Sequence, residues 1–338
     1  MQPVQRPILE LIQNLFRSKP EDKPNVVVIG YGWGGSAFAN AIDERQYNIS
    51  VISKRTVRLN QPYMISEFEP SISLSPRLEV FQDEATSIDF DKHQVVCQKA
   101  IYPYDYLVVA AGSEPNDFGI DGVNTHCLMF KTEKDLEILK SKLSSVTDVT
   151  VIGAGPTGIE LALKLQSLGK TVTIVEASPQ ILPGFSDQMK QALLSHLEAK
   201  HVTLNLGCKI NKITGSAYNT DKASIPYQGL LIWTAGQKPV KFVLPPLTRP
   251  NALLSAYPNV YAIGDCIQGH GPPTAQNAKQ QGLYLANNFN KRFENVEPYK
   301  FYEKGRIIDT PDCIYVEYRG HLLTLPAIFR FIIKTITE

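Results

Sequence analysis

Two glycine clusters in this 338-residue chain have a spacing that chemistry can use. "VVVIGYGWGGSAF" sets Gly30, Gly32 and Gly35 in a G-x-G-x-x-G pattern, and "VTVIGAGPTGIEL" repeats it at Gly153, Gly155 and Gly158. In this pattern the first glycine permits a tight turn, the second lets a diphosphate approach the backbone, and the third lets a helix pack close to a strand. The phosphates then meet unpaired N–H groups at a helix N-terminus. One such spacing is weak evidence, because glycine turns are common. Two, each after an apolar run and before a helical pattern, argue for two dinucleotide sites. The apolar run after the second cluster ends at Glu176, an acid spaced to accept hydrogen bonds from an adenosine ribose. A carboxylate there favours NADH and repels the 2′-phosphate of NADPH. The first copy ends instead in "SVISKR", with Ser53 at the acid's place; its hydroxyl also reaches a ribose, more weakly. "NVYAIGDC" supports FAD in that first site: Gly264-Asp265 ends a strand with a carboxylate suited to a ribityl hydroxyl. The helix that follows brings its positive end toward the flavin pyrimidine. Two nucleotides on one chain imply that electrons pass between them.

The elements that must hold these groups are legible in the hydrophobic pattern. "NVVVIG" reads as a buried strand, "GWGGSAFANAIDERQ" as a turn opening into a helix, and "NISVIS" as the next parallel strand, together a βαβ unit. The same pattern restarts at Asp148. Further strands are expected at "HQVVCQ", "YDYLVVAAG", "VTLNLG", "LLIWTAG" and "NVYAIGD", and helices from about Gln188 to Lys200 and from near Thr274. An α/β fold with two parallel-sheet units follows. Residues 1–18 carry Ile8, Leu11, Ile12, Leu15 and Phe16 at helical spacing, and "SKPEDKP" reads as a linker. At the other end, Leu325, Ile328, Phe329, Ile332 and Ile336 are expected to form a helical stripe with Arg330 and Lys334 off it. Such a stripe suits a membrane interface, the first domain or a partner chain equally.

Composition narrows the classes. Hydrophobic residues at 43% and charged residues at 20% describe an ordinary globular protein, and a net charge of +1 gives no footprint for nucleic acid. No uninterrupted apolar stretch is long enough for a spanning helix. Cys97, Cys127, Cys208, Cys266 and Cys313 form no C-x-x-C pair and no zinc-type cluster with the histidines, so neither a metal site nor thiol chemistry is expected.

Several runs are more specific. "VIGYGWGGSAF" with Trp33, "SKRTVRLNQPYMI", "AAGSEPNDFGIDGV" followed by "FKTEKDLEILK", "GAGPTGIELA" and "PPTAQNAKQQGLYLA" resemble the two-dinucleotide-binding-domain flavoproteins, a superfamily akin to the pyridine nucleotide-disulfide oxidoreductases. Within it they resemble the type II (alternative) NADH:quinone oxidoreductases of eukaryotic mitochondria, over roughly residues 25–290. Lys54 stands where those relatives have proline, the chain between "QPYMIS" and "EATSID" is short, and the tail beyond residue 300 is brief. The resemblance implies two Rossmann-like three-layer domains, the NAD domain inserted in the FAD domain. The expected division is an N-terminal helix and linker (1–24), FAD domain (25–115 and 246–298), NADH domain (116–245) and a short C-terminal segment (299–338) that touches a membrane or partner. It implies FAD at Gly30, Gly32, Gly35, Ser53, Lys54, Arg55, Ala111, Gly112, Gly264, Asp265, Ala275 and Gln276. It implies NADH at Gly153, Gly155, Pro156, Thr157, Gly158, Glu176 and Gly236. Glu160 would lie beside the nicotinamide and flavin, and Gln276 and Gln280, i and i+4 on one helix face, would line a quinone site.

The activity so implied passes hydride from NADH to FAD and electrons on to quinone without proton pumping, at the mitochondrial inner membrane as a peripheral protein. The N-terminal segment, weakly basic and amphipathic, is compatible with mitochondrial import or a second membrane contact. Partnership with respiratory-complex subunits or a second copy stays open. So do two other functions: a trimmed, catalytically silent accessory subunit, and a soluble NADH-dependent flavin reductase with another acceptor. Plainer roles for the same residues are a turn or cap for Asp265, a helix N-terminal charge for Glu160, and a solvated face for Gln276 and Gln280.

Overall fold

The computed structural model describes residues 23–69, 72–73, 78–240, 254–267 and 269–330. The expected N-terminal stripe and the end of the C-terminal one, with Ile332 and Ile336, lie outside them. The chain clusters into two compact units. Unit 1 comprises Met1–Arg58, Ile72–Ser113 and Lys238–Glu303; unit 2 comprises Leu59–Ser71, Glu114–Gln237 and Lys304–Glu338.

Each unit is built on parallel strands. In chain order these are β1 (Asn25–Ile29), β2 (Asn48–Ser53), β3 (Val80–Gln82), β4 (Tyr106–Val109), β5 (Cys127–Met129), β6 (Asp148–Ile152), β7 (Thr171–Val175), β8 (Thr203–Asn205), β9 (Leu230–Trp233) and β10 (Val260–Ala262). In unit 1 they lie in the order β10-β4-β1-β2-β3, with Ser255–Tyr257 added antiparallel beside β10. In unit 2 the order is β5-β9-β6-β7-β8. Val26 pairs with Ile49 on one side and Tyr106 on the other; Val151 pairs likewise with Ile174 and Ile232. In both sheets a fingerprint strand is central, and the winding reverses beside it. That reversal opens a crevice at the strands' carboxyl ends, where doubly wound sheets bind ligands.

Both faces of the central strands are covered, which is why "NVVVI" and "DVTVI" read as near-continuous apolar runs rather than alternating ones. In unit 1, Val26, Val28, Val51 and Val108 pack with Phe38, Leu285 and Phe289 from helices α1 (Trp33–Ala41) and α3 (Ala275–Asn290). Alternate residues Val27, Ile29, Leu107 and Val109 pack with Val95 and Tyr102 of the antiparallel sheet spanning 85–103. Unit 2 repeats the sandwich. Val149, Val151 and Ile174 meet Ile159 and Leu163 of α2 (Pro156–Ser167), while Ile152, Val175 and Trp233 meet Ile210, Ile213 and Tyr218 of a second antiparallel sheet. Helices α1 and α3 approach closely because Gly34 and Gly282 face each other; a Cβ on Gly282 would lie 2.4 Å from the Gly34 carbonyl oxygen. Phe289, fully buried, sits edge-on to Phe38, Tyr47, Tyr106 and Tyr261 at 5.3–5.5 Å, a burial that stabilises by about 1.5–3 kcal/mol.

Two segments differ from the expected organisation. The helix Gln61–Ser66 puts Met64 and Ile65 into the core of unit 2 rather than unit 1. The C-terminal stripe begins as strand rather than helix: β11 (Arg306–Asp309), β12 (Cys313–Tyr318) and β13 (His321–Pro326), which carries Leu325, form an antiparallel sheet; among the described residues a 3-10 turn at Ala327–Phe329 follows, with Arg330 in helical conformation. Arg319 and Gly320 both adopt positive φ, 49° and 79°, so they form a two-residue hairpin that pairs Leu325 with Ile314. Ile308 and Tyr315 of this sheet join the core of unit 2. The segment expected to touch a membrane or partner is thus in part a folded piece of unit 2.

Candidate functional site

The two fingerprints share one steric design. Gly30 has φ +98°, and a Cβ there would lie 2.3 Å from the Ala110 carbonyl oxygen; one on Gly35 would lie 2.0 Å from that of Gly30. In the second copy Gly153 has φ +110° with a Cβ position 2.9 Å from the Ala235 nitrogen, and that of Gly158 lies 1.9 Å from the Gly153 oxygen. The first and third glycines are therefore demanded by the chain itself. The middle ones differ: nothing lies within 4 Å of the Cβ positions of Gly32 and Gly155. Those two residues are also the N-caps of α1 and α2, and neither helix has a side-chain cap or an acid in its first turn. Each copy thus offers open space in front of a positive helix end that has no side-chain cap and no acid in its first turn, which fits a diphosphate. Pro156 and Thr157 form the first turn of α2, and Pro156 costs no donor because its N–H would be unpaired there anyway.

Polar groups surround these turns. Glu176 accepts from the Ala154 N–H, inside the second glycine turn, and from the Ser178 N–H, both at 2.7 Å. The strand-end carboxylate is thereby locked against the turn it would help to read. Thr234 donates to the Ile152 carbonyl at 2.9 Å, and the ring of Phe118 packs on Gly236, where a Cβ would sit 2.5 Å from its Cζ. In unit 1, Ser53 Oγ accepts the Arg55 N–H at 3.3 Å, and Lys54 pairs with Glu84 at 2.6 Å. Gly112 has φ +74° at the end of "VVAAG". Asp265 lies in the 3-10 turn Gly264–Cys266 and accepts the Ser113 hydroxyl at 3.1 Å.

Helix α3 carries two amide pairs. Gln276 is half-buried, while the Gln280 amide is spent on the main chain of Tyr302: Nε2 donates to its carbonyl at 2.7 Å and Oε1 accepts its N–H at 3.0 Å. The Gln280 amide, expected to face a ligand, makes both of these contacts with the main chain of Tyr302. One position along, Asn277 and Gln281 form a second i, i+4 pair that is buried, and Gln281 Oε1 accepts the Gly264 N–H at 2.6 Å. The sequence reading passed over this pair; its signal was the second amide pair in "AQNAKQQG", offset by one residue.

Glu160 lies buried within α2, with Oε1 accepting the Asp309 N–H of β11 at 2.9 Å. Burial pushes its carboxyl up to about 8, against the pull of that N–H. The five cysteines are free, and burial pushes the thiols of Cys97 and Cys127 up to about 12 and that of Cys266 to about 11. Thiolate is scarce at such values, so these groups are poor nucleophiles.

The profile of the pyridine nucleotide-disulphide oxidoreductase family matches residues 24–282. Among curated proteins, the internal alternative NAD(P)H-ubiquinone oxidoreductase A1, mitochondrial, of Solanum tuberosum is 28% identical, the match covering 83% of this chain and 71% of that protein. The type II NADH:quinone oxidoreductase of Staphylococcus aureus is 25% identical over 85% of this chain and 87% of its own length. Among solved structures, NDH2 from Plasmodium falciparum in complex with NADH superposes with a TM-score of 0.81 at 19% identity, covering 94% of this chain and 95% of the other.

Proposed function

This chain belongs to the pyridine nucleotide-disulphide oxidoreductase family, and on that premise we propose that it is a type II NADH:quinone oxidoreductase with FAD in unit 1 and NADH in unit 2. The observation that carries the reading is the doubled steric design: two glycine turns, each with two forbidden Cβ positions flanking one open one, each in front of an uncapped helix. Bound FAD supplies the chemistry that links a two-electron hydride donor to a quinone acceptor. The chain's own residues bind and orient. The α1 and α2 N-termini hold diphosphates, Asp265 with Ser53 holds the FAD hydroxyls, and Glu176 selects the ribose of NADH over a 2′-phosphate. Gln276 is the residue of α3 assigned to the quinone.

The curated relatives named mitochondrial support a mitochondrial location, and within it we place the chain peripherally at the inner membrane. No helix of the described residues is long and apolar enough to cross a membrane. Leu323, Ile328 and Phe329 are exposed on the C-terminal sheet and its turn, 82% for Ile328, and support a surface contact there.

One pair of observations favours the accessory-subunit reading instead: the Gln280 amide is held by Tyr302 and the Glu160 carboxyl by Asp309. Anaerobic titration of purified protein with NADH, followed by quinone, separates the two. Bleaching of the flavin band by stoichiometric NADH and its return on adding quinone are expected. A flavin band that NADH leaves unchanged overturns the enzymatic reading.

A further inference from the structure

We propose that Gln281 is a positioning residue of the FAD site, acting on the turn that carries Asp265. The inference rests on the reading above, in which unit 1 holds FAD. Gln281 is 1% exposed and uses both ends of its amide. Oε1 accepts the Gly264 N–H at 2.6 Å, and Nε2 donates to the His270 carbonyl at 2.9 Å. Asn277, a helical turn earlier, donates through Nδ2 to the His270 and Pro272 carbonyls, both at 2.9 Å, and its Oδ1 accepts the Tyr299 hydroxyl at 2.6 Å. The loop comes this close because Gly271 has no side chain: its φ is +92°, and a Cβ would lie 3.0 Å from the Asn277 amide.

The physical consequence concerns Asp265. Its carboxylate is held by Ser113, and the peptide that opens its turn is held by Gln281. Gln281 belongs to the helix that starts at Ala275, so the amide ties Asp265 and the first turn of α3 into one rigid body. A buried amide with every group paired holds position firmly, whereas an apolar replacement leaves the Gly264 N–H without its acceptor. A flavin that needs both contacts at once binds well only while that tie holds.

The test uses full-length protein stripped of flavin and titrated with FAD. It compares wild type with Gln281→Leu, which removes both amide functions, and Gln281→Glu, which keeps an acceptor for Gly264. Gln281→Leu is expected to weaken FAD binding roughly ten- to hundredfold. It should also lower the flavin-free Tm through the unpaired Gly264 N–H, shrink the further rise in Tm that FAD brings, and shift the midpoint potential of the flavin that remains bound. Gln281→Glu should bind FAD more tightly than Gln281→Leu. Should Gln281→Leu fail to fold, Gln281→Met, which fills the same volume flexibly, is read the same way. A folded variant with wild-type FAD affinity and potential overturns the role of Gln281. Wild type that binds no FAD refutes the site reading itself.

Discussion

Replacing Glu160 with glutamine isolates a single buried ionisation. Glu160 is 6% exposed, and burial raises its carboxyl from 4.5 to about 8. The charged groups around it are few. Asp309 supplies the N–H that Glu160 accepts, and its own carboxyl is pushed up by burial against the pull of Arg330, whose Nε lies 2.9 Å from both its oxygens. Arg330 also approaches Glu67 at 3.7 Å. The native state binds the Glu160 proton more tightly than the unfolded chain does. Stability from this group is therefore complete below about pH 4.5 and declines until about pH 8. A rise of that size corresponds to about 5 kcal/mol lost across the window. Glutamine resembles the neutral acid in shape and keeps an oxygen for the Asp309 N–H. At pH 5, Glu160→Gln should match wild type within about 1 kcal/mol; by pH 8 it should be the more stable protein by several kcal/mol. Urea unfolding at pH steps from 4.5 to 8.5, followed through the fluorescence of buried Trp233, measures the difference. Parallel curves for the two proteins across that range would refute the reasoning, because Glu160 would then ionise as it does in the unfolded chain.

Other consequences are equally open to measurement. Gly158→Ala puts a methyl 1.9 Å from the Gly153 carbonyl oxygen, so kcat/KM for NADH should fall about a hundredfold or more while FAD content holds. Gly155→Ala places its methyl in open space; Tm should stay constant and NADH affinity should fall about tenfold, which separates a nucleotide contact from a packing one. Glu176→Gln removes the charge facing a 2′-phosphate, and the preference for NADH over NADPH should shrink about tenfold in kcat/KM. Gln280→Ala releases two hydrogen bonds to Tyr302 and should cost about 1–2 kcal/mol, with faster amide exchange at Tyr302. A raised quinone KM with unchanged exchange would instead make Gln280 a ligand.

Much of the fold was legible because its signals are local. Each fingerprint is a run of some thirty residues whose apolar strand, glycine spacing and helical repeat agree with one another, so the two parallel units followed from pattern alone. Glu176 was legible too, because the βαβ geometry ties the end of the second strand to the glycine turn; its two 2.7 Å contacts sit where that geometry demands. Leu325 was expected on a helix and lies in a strand for a reason equally local. The tail fits a helical stripe as readily as a strand, and its deciding signal was Arg319-Gly320, a two-residue turn with positive φ at both positions.

The site's finer geometry depended on contacts between residues far apart in the chain. "AQNAKQQG" contains two amide pairs at helical spacing, and periodicity treats them alike. Only the packing of α3 against α1, set by Gly34 and Gly282, turns Asn277 and Gln281 inward. Glu160 is the same case. Its place on α2 was written in the sequence, but its raised pKa comes from burial in the folded unit, where even its hydrogen-bond donor, Asp309 of β11, lies 149 residues later in the chain. A pattern of spacing records which residues share a helix face; desolvation is imposed by whatever folds back upon that face, and only the tertiary structure supplies it.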